Sequence, residues 1–273
     1  MKRLKRSALY LVLAVGAAIM VLPFVWMLLS SFKTAAEVNT TPPTVFPNRF
    51  TFENYRYAFE KAPFARYFIN SVIVTVACVC FTMFTTILAA FAFSRLKFPG
   101  RDALFAGLLS LMMIPFEMLI ITNYQTVAVS WKLVDNLWAL ILPFCSSVFY
   151  TYILRNFFLS IPDSLYYSAR VDGASNWRYL WRVMVPLAKP ALATIGLLNA
   201  ITCWNSFLWT VLVTNNPESR TLPFGLYAFM TSSGIRYERL MAAATIVVLP
   251  MILLFICFRK QIVTGVSRGG LKG

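Results

Sequence analysis

The segment Leu165–Pro190, with the sequence LYYSARVDGASNWRYLWRVMVPLAKP, lies between two long apolar runs of the chain and is itself polar and rich in arginine. Its middle carries the break Asp172-Gly173-Ala174, where glycine weakens a continuous helix. Such a segment between membrane-length apolar runs indicates a loop that faces water and is helical on both sides of the glycine. A loop of this kind is a natural docking surface for a soluble partner.

The residues in and just before this segment predict two short helices. Ser160 is expected to cap a first helix, and Gly173 fits the left-handed position that follows the end of that helix. Ser175 is then suited to begin a second helix, which Pro186 and Pro190 end or bend. From these residues alone two interpretations stay open: an amphipathic loop that rests on lipid headgroups, and a docking surface.

Composition places the chain in a membrane. Of its 273 residues, 59% are hydrophobic and only 13% are charged, and several apolar windows reach the roughly 20 residues needed to cross a bilayer. We predict an all-α integral membrane protein with six transmembrane helices, forming a single domain over residues 1–273, with a cytoplasmic loop over residues 160–182. The predicted spans cover about residues 7–32, 68–94, 103–123, 137–159, 183–213 and 240–258.

The positive charges predict the orientation of these spans. With the N-terminus inside, the segments 1–6, 94–102, 155–190 and 259–273 hold 16 of the 25 Lys and Arg residues. Because cytoplasmic segments are enriched in Lys and Arg, we expect both termini of this multi-pass protein in the cytoplasm. The membrane is expected to be the plasma membrane of a prokaryote, as the family resemblance given below implies. Nucleic acid is excluded as a partner despite the net charge of +15, because the charges lie in short connections between apolar runs.

Metal and disulfide chemistry are not indicated. The chain has no His, and its cysteines all lie within apolar runs, as expected of small buried side chains. The pair Cys78-x-Cys80 has metal-ligand spacing but no second pair of ligands. The five cysteines are Cys78, Cys80, Cys145, Cys203 and Cys257.

The predicted outer segment 33–67 differs from the other connections, because prolines and aromatic residues are interleaved in it. Its N-terminal part is expected to be extended. Residues 52–61 alternate in a helical pattern, and this helix either lies on the membrane or contacts an outer partner.

At the predicted cytoplasmic loop, residues 160–182 (the inner loop), the chain resembles the permease subunits of ATP-binding-cassette (ABC) importers of the carbohydrate-uptake type. That family carries an acidic-Ala-Ala pattern, then Asp-Gly-Ala, then Leu/Val-Pro. The short N-terminal extension and the glycine-rich tail look like the smaller permease of maltose-type systems. The matching residues of the loop are Ser168, Ala169, Arg170, Asp172, Gly173, Ala174, Val185, Pro186 and Pro190, with further matches at 68–71, 92–95, 204–205, 221–222 and 265–273.

The resemblance implies that the loop is a coupling helix that docks on an ATPase subunit. No ATP-binding loop of the form G-x-x-x-x-G-K-[ST] occurs in this chain, so ATP and Mg are expected on partner subunits, and the chain itself has no cofactor and is not an enzyme. The implied partners are a second homologous permease, two ATPase subunits, an extracytoplasmic solute-binding protein, a sugar and membrane lipid. The implied coupling residues are Tyr167, which stands where the family usually has Glu, with Ser168, Ala169, Asp172, Gly173 and Ala174.

A transport path is expected to show polar groups at membrane depth, because such groups are costly without a role. Glu117 is the clearest of them, and Pro115 just before it opens the helix locally. A carboxyl that is paired within the bundle or that snorkels to the surface is the alternative for Glu117, and helix interfaces also use amides and aromatic rings. The candidate path residues are Glu117, Asn123, Tyr124, Trp204, Asn205 and Trp209.

Sugar import has three alternatives for a chain of this composition. The same ABC machinery for a glycerol phosphate ester or polyol derivative calls for basic residues deep in a span, and none is evident. A secondary transporter calls for ion-coupling acids and often internal repeats, but Glu117 is the only acid at depth. A membrane enzyme lacks a catalytic set, since there is no His and no acidic cluster.

Overall fold

The computed structural model describes residues 2–231 and 234–269, which are mostly helical. Short π-helical turns lie at Thr126–Ser130 and Leu180–Met184, and a two-residue ribbon pairs β1 (Met230–Thr231) antiparallel with β2 (Gly234–Ile235). Turns of 3-10 helix cover Leu142–Phe144, Pro217–Ser219 and Leu222–Phe229. The helices are α1 Lys2–Ser31, α2 Ala35–Val38, α3 Glu53–Lys61, α4 Phe64–Arg95, α5 Arg101–Leu111, α6 Phe116–Gln125, α7 Leu137–Ile141, α8 Val148–Leu159, α9 Asp163–Val171, α10 Asn176–Tyr179, α11 Val185–Leu187, α12 Lys189–Trp204, α13 Leu208–Val213 and α14 Tyr237–Gly269.

Within residues 2–231 and 234–269, three helices contain continuous stretches that are long and apolar enough to cross a bilayer. These stretches are Leu9–Ser31 of α1, Phe64–Arg95 of α4 and Tyr237–Cys257 of α14. Pro23 and Pro250 lie inside α1 and α14 without ending them. Transmembrane helices tolerate such prolines because neighbouring groups satisfy the freed backbone.

The other three apolar runs are broken helices. Arg101–Leu111 and Phe116–Ser130 meet at 94°, Leu137–Phe144 and Val148–Leu159 meet at 44°, and Asn176–Leu187 and Lys189–Trp204 meet at 79°. If each bent pair is one span, the described part of the chain has six apolar spans, three continuous and three broken. The prediction of an all-α membrane protein is confirmed, but half of its spans are not straight.

The breaks lie within three of the predicted spans. The run 103–123 is interrupted before Pro115, whose extended backbone (φ −60°, ψ 139°) begins α6. Proline restricts the residue before it to extended conformations and supplies no N–H to a preceding turn. The run 137–159 is interrupted before Ser147, whose hydroxyl caps α8. The run 183–213 is interrupted at Ala188, next to Pro190 as expected, and again after Asn205, which was not foreseen.

Contacts divide the chain into two compact units, whereas the sequence predicts one domain. The first unit comprises the chain up to Arg66 together with Leu222–Ile252. Here Asn54 of α3 donates from its amide to the carbonyl oxygens of Ser31 (2.9 Å) and Lys33 (2.8 Å), which holds α3 against the end of α1. The helical prediction for residues 52–61 is confirmed, because α3 covers all but the first of them.

The second unit comprises Tyr67–Thr221 and the chain from Leu253. Its largest apolar cluster joins α4, α8 and the segment that follows Gly173. Leu154 and Phe158 of α8 are fully buried there, and so are Tyr179 and Met184. Burying a large apolar side chain contributes about 1.5–3 kcal/mol. The second half of the inner loop is therefore part of the core and does not simply lie on its surface.

The prediction that all five cysteines are buried is wrong. Cys78 is buried, Cys145 and Cys203 are half-buried, and Cys80 and Cys257 are exposed. The error arises because an apolar run in a membrane protein does not imply burial inside the protein. Lipid covers the outward faces, and large apolar side chains such as Met20 and Val76 are exposed as well.

Candidate functional site

The inner loop begins with α9, which starts at Asp163 after an extended Pro162. The expectation that Ser160 caps this helix is wrong. Ser160 instead ends α8, and its hydroxyl donates to the carbonyl oxygen of Phe157 at 2.7 Å. The reason is that Pro162 has the extended backbone of an N-cap residue, so the helix starts two residues later and Ser160 is left on the preceding one.

The centre of the loop is a glycine-terminated helix end of the Schellman type. Gly173 has φ +73°, and its N–H donates to the carbonyl of Arg170 at 3.1 Å. The N–H of Ala174 donates to the carbonyl of Ala169 at 2.9 Å, which completes the motif. Ser175 then caps α10 by accepting from the N–H of Arg178. The predicted helix–glycine–helix geometry is confirmed.

Two tyrosines join the halves of the loop. The hydroxyl of Tyr166 in α9 donates to Oδ1 of Asn176 in α10 at 3.0 Å. Its ring also meets the ring of the buried Tyr179 edge-on, with centroids 5.1 Å apart. The bend at Gly173 is therefore held by side chains as well as by the backbone.

The outward face of the loop carries most of the predicted coupling residues. Tyr167 is 60% exposed, Ser168, Asp172 and Gly173 are exposed, and Ala169 and Ala174 are half-buried. Sequence reasoning missed Val171, which is 87% exposed one turn beyond Tyr167. An exposed valine and an exposed tyrosine on a polar loop form a surface suited to a protein partner.

Arg95 fixes the start of the loop, and it was not among the site residues predicted from the sequence. Its side chain is only 5% exposed, and its guanidinium donates to the carbonyls of Phe158 (2.7 Å) and Ile161 (2.6 Å) and forms an ion pair with Asp163. These partners lie where α8 ends and α9 begins. The signal available in the sequence was an arginine at the end of an apolar span, which was counted as a topology charge and as part of the family match at 92–95 but was given no structural role.

Arg155 supports the same corner from α8. Its Nε donates to the carbonyl of Phe93 at 3.1 Å, and its guanidinium lies over the ring of Phe105, 4.2 Å from the centroid. It also pairs with Asp102 at 3.7 Å. The last turn of α4, the start of α5 and α8 are thereby held together by the buried side chain of Arg95 and the half-buried Arg155.

A cavity of about 660 Å³ lies within the second unit. Two of the three helix breaks reach it, at the start of α6 and at the turn between α7 and α8, and the turn between α12 and α13 also lines it. Irregular backbone at membrane depth is tolerated where it is packed in protein or lines a water-filled space. Its lining residues are Val74, Thr82, Phe116, Glu117, Leu140, Phe144, Ser146, Ser147, Phe149, Tyr150, Asn199, Thr202, Cys203, Asn205, Ser206, Phe207, Leu208, Trp209, Thr210 and Thr221.

Three of the six predicted path residues line this cavity, namely Glu117, Asn205 and Trp209. The indole of Trp209 is held by a hydrogen bond from its Nε1 to the carbonyl of Ala139 at 3.0 Å, so its ring and not its N–H is available. The remaining three, Asn123, Tyr124 and Trp204, are not among the lining residues, and Trp204 is buried with its ring 6.0 Å from that of Phe68.

Sequence reasoning missed the polar residues that reach the cavity from α8 and α12. Tyr150, Asn199 and Thr202 are the main examples. Asn199 lies in the middle of an apolar helix, and an amide at that depth was the available signal. Within the described residues, no group of three or more Cys, Asp or Glu is placed to hold a metal ion.

Comparison with known proteins places this arrangement in a family. The family described as the inner membrane component of binding-protein-dependent transport systems matches residues 3–268. The arabinooligosaccharides transport system permease protein AraQ of Halalkalibacterium halodurans is 31% identical over the whole of both chains. The diacetylchitobiose uptake system permease protein NgcG of Streptomyces coelicolor is 31% identical over 94% of this chain and 86% of its own.

A solved structure shares the fold. One chain of a bacterial ABC transporter involved in the import of the acidic polysaccharide alginate superposes with a TM-score of 0.80 and 25% identity, over 94% of this chain and 96% of that one. The arrangement of helices described above is thus shared along nearly the full length of both chains.

Proposed function

This chain belongs to the family of inner membrane components of binding-protein-dependent transport systems, and we propose that it forms half of the translocation path of an ABC importer for a sugar or oligosaccharide. The observation that carries the proposal is the family match over residues 3–268, which includes both the inner loop and the cavity. ATP hydrolysis is assigned to separate ATPase subunits, because this chain has no phosphate-binding loop.

The inner loop acts as the lever between ATPase and cavity. Arg95, at the end of α4, pairs with Asp163 at the start of α9 and also binds the carbonyl of Phe158 in α8. The buried Tyr179 anchors the second half of the loop in the same core. A displacement of the loop by an ATPase subunit is therefore passed to α4 and α8 as a near-rigid movement. The contact surface is formed by Tyr167, Ser168, Val171 and Asp172, with Tyr167 packing where the family usually has an acid.

A neutral hydroxylated solute suits the cavity. Its volume lies within the roughly 300–1,000 Å³ of small-molecule sites, and aromatic faces and amides line it. None of its lining residues is basic and Glu117 is its one acid, which disfavours a glycerol phosphate ester. Two relatives are named for the uptake of arabinooligosaccharides and diacetylchitobiose, which supports an oligosaccharide as solute.

The proposed assembly contains a second homologous permease, two ATPase subunits and an extracytoplasmic solute-binding protein. The family match supports a prokaryotic plasma membrane, and the distribution of Lys and Arg supports both termini and the inner loop in the cytoplasm. Lipid covers outward apolar faces such as that of α1, whose apolar window has no buried residue in this chain.

Purification through a tag on this chain tests the proposal. We expect an ATPase with Walker motifs and a second permease to copurify, and we expect the complex in vesicles to take up arabinooligosaccharide or diacetylchitobiose only with ATP and the solute-binding protein. A lone chain that transports with an ion gradient and no ATP would show that the protein is a secondary transporter instead.

A further inference from the structure

One face of α12 presents a polar stripe to the cavity. Asn199, Thr202 and Cys203 lie at positions i, i+3 and i+4 of the helix, and Ser206 follows at i+7 just beyond its end. Residues at these spacings share one side of a helix. The remainder of α12 is largely apolar, so the stripe is confined to the wall that meets the cavity.

Most polar side chains of the cavity are already used by the protein. The hydroxyl of Thr202 donates to the carbonyl of Leu198 at 2.9 Å, and that of Thr82 donates to the carbonyl of Phe144 at 2.7 Å. The hydroxyl of Thr210 donates to the carbonyl of Ser206 at 2.9 Å. These hydroxyl hydrogens are taken by backbone carbonyls, so the three groups can accept a hydrogen bond from a solute but have no hydrogen left to donate to it.

Asn199 is different. Its side chain is buried, with 5% of the residue exposed, yet its Nδ2 has no hydrogen-bond partner in the described part of the chain. Its Oδ1 accepts only from the thiol of Cys203, with the Sγ 3.4 Å away, and a thiol is a weak donor. If the amide oxygen and nitrogen of Asn199 are interchanged, Nδ2 faces the thiol of Cys203 and Oδ1 is the atom left without a partner.

A buried donor without a partner is costly and is retained in natural proteins where it has a role. We infer that Asn199 is the residue of this chain that determines which solute is accepted, by donating a hydrogen bond from Nδ2 to a hydroxyl or ether oxygen of the sugar in the cavity. The inference rests on the proposed function and adds to it the hydrogen bond between Asn199 and the sugar. The weak Cys203 contact leaves the amide free to turn towards the solute.

The test uses the full complex in vesicles, with arabinooligosaccharide and diacetylchitobiose as probes. In Asn199→Leu, which keeps the branched shape and removes the amide, we expect kcat/KM for ATP-driven uptake to fall about tenfold. Asn199→Asp, which keeps the shape and loses the donor when ionised, is expected to fall similarly. The control is Thr194→Val in the same helix, whose hydroxyl donates to the carbonyl of Pro190 at 3.1 Å and which is not among the lining residues, and its uptake should change less than about twofold.

A second readout separates binding from structure. Because Asn199→Leu removes an unsatisfied buried donor, its melting temperature should equal or exceed that of the wild type. A lower melting temperature, or uptake equal to the wild type, would overturn the assignment. If the wild-type complex hydrolyses ATP but takes up neither probe, the result counts against the proposed sugar substrate. The melting temperatures of Asn199→Leu and the wild type can still be compared in that case, and a lower value for the variant would overturn the assignment of Asn199.

Discussion

Arg95, the last residue of α4, forms an ion pair with Asp163, the first residue of α9, across 68 positions of sequence. The two ends of this pair are unequal. The Arg95 side chain is almost fully buried, whereas that of Asp163 is 72% exposed. The pair itself therefore contributes little, since exposed ion pairs are worth about 0–1 kcal/mol. The buried guanidinium matters through the two carbonyl oxygens of Phe158 and Ile161 that it satisfies.

Replacement of Arg95 is expected to separate these two effects. Arg95→Met leaves both carbonyls without their donor, and we expect the free energy of unfolding to fall by about 2–4 kcal/mol. Asp163→Asn removes only the exposed charge and should cost less than about 1 kcal/mol. Chemical unfolding of the purified protein in detergent measures both. Equal losses in the two variants would mean that the ion pair, and not the carbonyl contacts, holds the loop.

Gly173 is expected to be needed for coupling more than for folding. A side chain there meets open space, but φ +73° is strained for any L-residue with a Cβ, by about 1–2 kcal/mol. In Gly173→Val we expect insertion to be intact while uptake per ATP hydrolysed falls, because the bend of the lever is no longer fixed. Coupled ATPase and uptake assays in vesicles measure this ratio.

The matched control is Gly107→Ala. Gly107 lies within α5, also faces open space and has no unusual φ, so alanine should leave uptake unchanged and gain up to about 1 kcal/mol of helix stability. Normal uptake per ATP in Gly173→Val would show that the lever assignment is wrong.

The sequence predicted the parts of the fold that depend on neighbours in the chain. The glycine and serine caps at Gly173 and Ser175 are local signals, and both were placed correctly. Hydropathy detects apolar length but not the backbone hydrogen-bond ladder, so Pro115 was expected to open the helix only locally, and the 94° bend before it was not predicted. The partners of Arg95 and the unpaired amide of Asn199 depend on residues far away in sequence or on the absence of a contact, and no local pattern encodes either.

Glu37 is expected to make the first unit sensitive to acid. Its carboxylate accepts from the backbone N–H groups of Thr34 (2.9 Å) and Asn48 (2.8 Å), and these bonds hold its pKa below the ordinary value. A lowered folded-state pKa stabilises the fold at pH above the unfolded value of about 4.3, and this contribution is lost as pH falls through the folded-state pKa.

Glu37→Gln should therefore melt at a lower temperature than the wild type at pH 7, and the difference should shrink as pH is lowered below about 4. Glu60→Gln is the control, since Glu60 is exposed and forms only an i,i+4 pair with Arg56. A difference between Glu37→Gln and the wild type that is the same at both pH values would show that the charge is unimportant.

Val171 is expected to be part of the ATPase contact. It is 87% exposed, so Val171→Asp should change the free energy of unfolding by less than about 0.5 kcal/mol. A carboxylate placed in an apolar contact must be desolvated without a partner, which costs far more than it does in water. We therefore expect Val171→Asp to release the ATPase subunits during purification, whereas Val171→Ile, which keeps the apolar surface, should retain them. Retention of the ATPase by Val171→Asp at the wild-type ratio would place the docking surface on another face of the loop.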